Sequence, residues 1–359
     1  MATDGGIGTY LQNVVPGVAR CRPQWELTAL GDVDELTTLG WGVLPNVRVA
    51  RCDARIFSAR EQIELPLRVG RRLDVYWAPH YNIPVFLHRR PLVVTVHDVN
   101  HVALPELLGG PVRRMYARGM LGLAVHRATG LLFDSNFTRT ETARLLHREA
   151  IDGTVAHLAV DDDWFRAREL APERPIAGPY VVYVGNIKRH KNVPLLLRAF
   201  DSIKDRIPHR MVLIGRSEGL RADPAVAPQL AALGGRALFL GETTKERVRQ
   251  YVAHADALVT ASLYEGFGLP PLEAMAAGCP CVVSQSGSLP EVCGDAALFC
   301  DPRDIHSVAS RLVEVATNPQ LRAELVDRGR ARASSFSWAR CVSLTTNTLE
   351  RALDTRPPH

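Results

Sequence analysis

Short continuous apolar runs alternate along this chain with longer stretches whose apolar positions recur every three or four residues. That alternation predicts buried parallel strands joined by crossover helices, an α/β architecture. In the first half, residues 75–78, 92–96 and 131–134 read as buried strands, with Ser135 as the cap of a following helix, and 111–128 reads as a helix. In the second half the strand candidates are 180–184, 210–214, 237–240, 257–260 and 280–284. Helices fall between them, including 193–204, 244–253 and 271–277. Residues 161–179 are rich in charge and proline, carry no strand pattern, and read as a linker between two domains.

One feature conflicts with a doubly wound first domain. Such domains begin with an apolar strand that delivers a glycine loop to the mouth of the sheet. Here Gly5-Gly6-Ile7-Gly8 follows Met1 almost at once, leaving no room for that strand. The reading expects either a sheet that lacks a member near its centre or a natural product that begins upstream.

Composition narrows the picture only a little. A chain of 359 residues, 46 % of them hydrophobic, suits two cores better than one. It holds no run of about eighteen consecutive apolar residues and no basic-then-apolar start, so neither a membrane span nor a secretory signal is expected. Seven cysteines without a C-x-x-C pair argue against a zinc site or a disulfide framework and point to the cytoplasm. The formal charge of +5 is compatible with acidic partners such as diphosphates or anionic lipid, and no nucleic acid is expected. Positive charge is overwhelmingly arginine. The lysines are Lys188, Lys191, Lys204 and Lys245, so Lys188 and Lys191 in one short loop call for a reason.

The strongest chemical signal is Tyr264-Glu265-Gly266-Phe267-Gly268-Leu269-Pro270-Pro271-Leu272-Glu273. A strand ends near Ser262, a glycine-rich turn follows, and the proline pair suits the first turn of a helix. The amides of Phe267, Gly268 and Leu269 then point out of a helix N-terminus, which suits phosphate and polar oxygens. Glu265 stands before the turn and Glu273 about one helical turn inside, placed for opposite ends of one elongated ligand. Lys188 and Lys191 follow strand 180–184. Cations there suit the charge that grows on a departing diphosphate. His97, with Asp98 after it, ends an apolar strand, as does His80 in Ala78-Pro79-His80. His97 and His101 are four apart, but no third ligand is spaced to complete a metal site, and no metal is expected.

At these residues the chain resembles the retaining glycosyltransferases of family 4. The segment Glu265 to Glu273 matches their Glu-x7-Glu motif. Gly5 to Tyr10, Thr95-Val96-His97-Asp98, Ser135-Asn136-Phe137-Thr138, Val184 to Asn192 and Ser288-Leu289-Pro290-Glu291-Val292 are similar as well. The resemblance implies a GT-B fold, two Rossmann-like domains facing a central cleft. Residues 1–165 would form the N-terminal acceptor-side domain, with 336–359 crossing back onto it, and 166–335 the nucleotide-sugar domain. It implies that Glu265 contacts donor-sugar hydroxyls and Glu273 the ribose, with His97 opposite and Lys191 and Lys188 on the diphosphate. Gly6, Gly185, Arg189, Phe267, Gly268 and Leu269 would line the donor. Gly5, Ile7, His80 and Asp98 would lie on the acceptor side. The arginine usual just after the strand-end glycine is Asn186 here, which leaves the second cation to Lys188, with Arg189 behind it.

The pattern looks closest to bacterial mannosyltransferases that build surface polysaccharides from GDP-mannose. The expected acceptor is lipid-linked or an oligosaccharide. No cofactor is expected, since the nucleotide sugar is a substrate. Rhamnosyl or glucosyl transfer, and a catalytically silent binding protein of the same fold, are the alternatives. Arg113, Arg114 and Arg118 on helix 111–128, among apolar neighbours, suggest contact with an anionic membrane at its inner face.

Overall fold

The computed structural model describes residues 5–54, 58–69, 73–85, 91–104, 110–216 and 223–355. The chain forms two compact units, one of Met1–Leu158 with Ser337–His359, the other Ala159–Phe336.

The second unit is built on one six-stranded sheet. Its strands are β7 (Tyr180–Val184), β8 (Arg210–Ile214), β9 (Ala237–Phe239), β10 (Ala257–Thr260), β11 (Cys281–Ser284) and β12 (Leu298–Cys300), all parallel, in the order β12-β11-β10-β7-β8-β9. Four of them carry β-branched and aromatic side chains and are buried almost throughout, as parallel strands covered by helices on both faces require. Phe200, Leu196 and Val193 of the helix Val193–Asp201 are fully buried with Val181, Tyr183, Met211 and Leu213 in a single core. Counting from β7, this order is that of a doubly wound sheet, and the winding reverses between β7 and β10. Loops leaving the carboxyl ends of those two strands therefore open a crevice that no crossover helix fills.

The first unit has two parallel sheets among the described residues. One pairs β1 (Leu27–Gly31) with β2 (Val47–Arg51). The other runs β3 (Tyr76–Ala78), β4 (Leu92–Val96), β5 (Gly130–Phe133), β6 (Thr154–Val155). The last helix, Trp338–Asp354, starts at Ser337, whose side chain accepts from the Arg340 N–H. It buries Cys341, Val342, Thr345 and Leu349, and packs on Gly5–Cys21 with Gly17 against Val342.

Two expectations need correction. Residues 161–179 are not a plain linker, because the helices Asp162–Phe165 and Ala167–Leu170 form there within the second unit. Trp164 and Ala167 supply the buried contacts that a free linker lacks. The glycine segment is not a loop either. Gly5 to Gly8 form the first turns of the helix Gly5–Cys21, which buries Tyr10, Leu11, Val14, Val15, Val18 and Ala19. That apolar stripe carries the helix back through the glycines despite their poor propensity. No strand precedes this helix among the described residues, and residues 1–4 lie outside them.

Candidate functional site

In the second unit the two loops at the winding reversal meet. After β7 the chain passes Gly185 at φ +150° and turns through a single 3-10 turn, Arg189–Lys191. Gly185 and Gly215 are in such close backbone contact that a Cβ on Gly215 would stand 2.0 Å from the Gly185 carbonyl oxygen. After β10 the chain runs through Ser262 to Glu265, and the Leu263 N–H donates to the His190 carbonyl at 2.8 Å, tying the loops together. The Lys191 ammonium then donates to both Glu265 carboxylate oxygens, at 2.7 and 2.8 Å. Both side chains are mostly buried, at 19 and 14 % exposed. The sequence reading gave this lysine and glutamate separate tasks; the fold holds them as one pair.

The backbone of Glu265 is fixed from a third loop. The Ser288 N–H and hydroxyl both donate to the Glu265 carbonyl, and the same hydroxyl donates to the Phe267 carbonyl at 2.7 Å. Gly287, at φ +62°, lies so near that a Cβ would sit 2.6 Å from the Glu265 carbonyl oxygen. Gly287 and Ser288 thus hold the Glu265 backbone, a task that motif reading did not give them.

The helix Leu269–Ala276 begins where its sequence directs, with Pro270 and Pro271 in the first turn and Gly268 in the left-handed region as N-cap. Phe267 is buried edge-on against Phe336, with ring centroids 5.8 Å apart. The amides at the helix start carry the partial positive charge of its dipole. Glu273 lies one turn along. Burial raises its carboxyl to about 7, helped by the negative charge of Asp161 and opposed by Lys245 and Arg249. Lys188 precedes the turn that presents Lys191, and Arg189 is exposed beside it.

In the first unit, His97 and Asp134 leave the carboxyl ends of adjacent parallel strands, where Val96 pairs with Phe133. His97 Nδ1 lies 2.7 Å from Asp134 Oδ2, and the two residues are 7 and 3 % exposed. His97 Nε2 is buried without a hydrogen-bond partner. Tyr10 stands edge-on to the imidazole at 4.9 Å. Sequence reading named Asp134 as a strand end and missed its pairing with His97, which the register of two strand candidates would have given.

The expected acceptor-side residues have structural partners. His80 Nδ1 accepts from the Asn82 N–H and its ring stacks on Tyr81. Burial lowers its pKa to about 4, so it is neutral at physiological pH. Asp98 accepts from the Asn100 N–H at 3.0 Å, just before the one-turn helix Asn100–Ala103. Gly5 and Gly6 are exposed on the first helix, and Ile7 is half-buried there. No group of three or more His, Cys, Asp or Glu residues among those described could hold a metal ion.

Residues 168–332 match the family model of glycosyl transferases group 1. The O-antigen chain mannosyltransferase B of Escherichia coli is 32 % identical over 286 residues, 76 % of this chain and 73 % of that protein. Sucrose-phosphate synthase from Thermosynechococcus elongatus superposes with a TM-score of 0.76 at 20 % identity, covering 98 % of this chain and 94 % of that one. Anabaena Alr3699/HepE, solved in complex with UDP and glucose, gives a TM-score of 0.72 at 20 % identity over 96 % of both chains. These likenesses establish the fold as GT-B, with two Rossmann-like units.

Proposed function

The chain belongs to the glycosyl transferases of group 1, and from that premise we propose that it transfers mannose from GDP-mannose with retention of anomeric configuration. The observation that carries the site assignment is the Lys191–Glu265 pair at the winding reversal, next to the helix start at Leu269. Sugar and diphosphate of one donor need both a carboxylate for hydroxyls and a cation for phosphate within a few ångströms, and this pair supplies them. The mannosyl assignment draws support from the Escherichia coli relative, whose name specifies O-antigen chain mannosyltransferase.

In this reading the donor diphosphate lies against the amides of Phe267, Gly268 and Leu269. Lys191, assisted by Lys188 and Arg189, takes up charge as the β-phosphate leaves. Glu265 hydrogen-bonds the sugar and Glu273 the ribose. No metal enters the scheme, because lysine and helix amides carry the compensating charge.

The acceptor is a lipid-linked or growing glycan at the inner face of the membrane. The helix Pro111–Arg127 supports that placement. Its later turns bury Met120, Leu121, Ala124 and Val125, while Val112 and Met115 are each 72 % exposed beside the exposed Arg113 and Arg114. Apolar side chains flanked by arginines suit an anionic bilayer surface. Co-sedimentation should rise with the anionic content of liposomes; binding indifferent to lipid charge would contradict it.

Hydrolysis and transfer assays with GDP-mannose, UDP-glucose and dTDP-rhamnose test the donor. GDP-mannose should be consumed fastest, in the presence of EDTA, with an α-linked product from the α-linked donor. Preference for another donor would overturn the mannosyl assignment, and an inverted product would overturn retention.

A further inference from the structure

Between Glu265 and Leu269 the chain carries one side chain, Phe267, with Gly266 and Gly268 on either side of it. Glycines set no backbone conformation of their own, and Gly268 stands at φ +103°. The direction in which the amides of this turn point therefore depends on what holds Phe267. Ser288 holds its carbonyl. Its ring, only 5 % exposed, meets the ring of Phe336 edge-on, just past the end of the helix Pro319–Ser334.

That helix is seated against the donor turn's own helix. Gly329 lets it lie close on Leu269–Ala276, where a Cβ would stand 3.2 Å from Met275 Cγ. Arg332, one turn before Phe336, makes two further contacts. Its Nε donates to the Val292 carbonyl at 2.9 Å and its Nη2 to the Glu291 carbonyl, which ties down the last carbonyls of the short helix Leu289–Cys293. Its guanidinium also lies over the Phe336 ring, 4.9 Å from the centroid. Arg332 thus touches both supports of Phe267: Phe336 directly, and Ser288 through the helix that Ser288 starts.

We propose that Phe336 and Arg332 are positioning residues for the donor: Phe336 seats the Phe267 ring, and Arg332 fixes Phe336 and the helix after Ser288, so that the amides at the start of Leu269–Ala276 are aimed at the diphosphate before it arrives. The proposal rests on the functional reading above, in which that turn takes the donor. A preset turn spares the bound diphosphate the ordering that two glycines would otherwise demand.

Calorimetry on the full chain with GDP, or with UDP if the wild-type protein prefers it, tests the proposal, with hydrogen exchange over residues 262–272 as a second readout. An edge-to-face aromatic pair is worth about two- to tenfold in an equilibrium constant. Phe336→Leu keeps an apolar side chain without the ring, so it should weaken nucleotide binding by that factor and speed exchange in the turn. Arg332→Met should act in the same direction, while Phe336→Tyr, which keeps the ring, should bind as the wild-type protein does. In a Phe267→Leu background, Phe336→Leu should cost nothing further. A general loss of stability would lower the amount of folded protein but not its affinity, and tyrosine would not relieve it selectively. Unchanged affinity and exchange in Phe336→Leu and Arg332→Met would overturn the proposal. So would a loss in Phe336→Leu that adds in full to that of Phe267→Leu. If Phe336→Leu fails to fold, unchanged affinity and exchange in Arg332→Met overturn it alone. A wild-type protein that binds neither nucleotide would instead sink the donor reading, and the positioning role with it.

Discussion

Lys191 and Glu265 constrain each other. With Lys191 removed, the Glu265 carboxylate, only 14 % exposed, loses the ion pair that the structure gives it. Breaking a mostly buried pair this way is costly because the surviving charge is uncompensated. Glu265→Gln should cost less stability than Lys191→Ala, since the amide keeps the shape and an acceptor oxygen for the ammonium, whereas alanine leaves the carboxylate without its donor. Thermal denaturation of the two variants checks that order. Glu273 predicts a pH dependence. Its folded value of about 7 lies above the ordinary 4.5, so its protonation favours the fold at low pH, and that contribution is lost as pH rises through 7. Donor binding runs the other way, because only the carboxylate accepts strongly from ribose hydroxyls. Donor affinity should therefore rise between pH 6 and 8 in the wild-type protein, on either side of the value of about 7, and Glu273→Gln should flatten the profile. Titration calorimetry across that range decides it. At this scale the sequence was informative where chemistry is unusual for its surroundings, as with two lysines in an arginine-rich chain. It was silent on Asp134, which reads as the end of one strand until the register sets it beside His97.

Among elements, the loops around Glu265 depend on glycines whose backbones touch. Gly287→Ala places a methyl 2.6 Å from the Glu265 carbonyl oxygen at φ +62°. Strained backbone of this kind costs about 1–3 kcal/mol, and relief requires Glu265 to move. Gly287→Ala should lower both Tm and donor affinity. Gly235→Ala, where nothing lies within 4 Å of the added Cβ, is the control and should leave donor affinity unchanged. Normal binding by Gly287→Ala would mean that the loop tolerates displacement. The strands legible in sequence were those buried on both faces, such as Tyr-Val-Val-Tyr-Val of β7, because continuous apolar runs mark central parallel strands. The strands β1 and β2 escaped notice because Leu-Thr-Ala-Leu-Gly and Val-Arg-Val-Ala-Arg are short and largely half-buried or exposed, so neither an apolar run nor a clean alternation stands out. The helix Gly5–Cys21 was hidden by its opening glycines and internal Pro16, and only packing against Trp338–Asp354 makes it explicable.

For the whole molecule, the last helix belongs to the first unit although 178 residues of the second unit, Ala159–Phe336, separate it in sequence. Removing Ser337 onward should expose the faces of Gly5–Cys21 and β5 that it covers, so the first unit should lose protection from protease while the second keeps its own. Equal resistance of both units after truncation would show the helix to be dispensable for folding. In the proposed scheme the donor diphosphate is handled at the winding reversal by Lys191 and the helix amides. Steady-state turnover of GDP-mannose by Lys191→Ala in EDTA tests it most directly. The charge matters most as the β-phosphate becomes anionic, so kcat should fall about a hundredfold, roughly 3 kcal/mol, with a smaller change in KM. Near-normal turnover by Lys191→Ala, or loss of wild-type activity on chelation alone, would contradict the account.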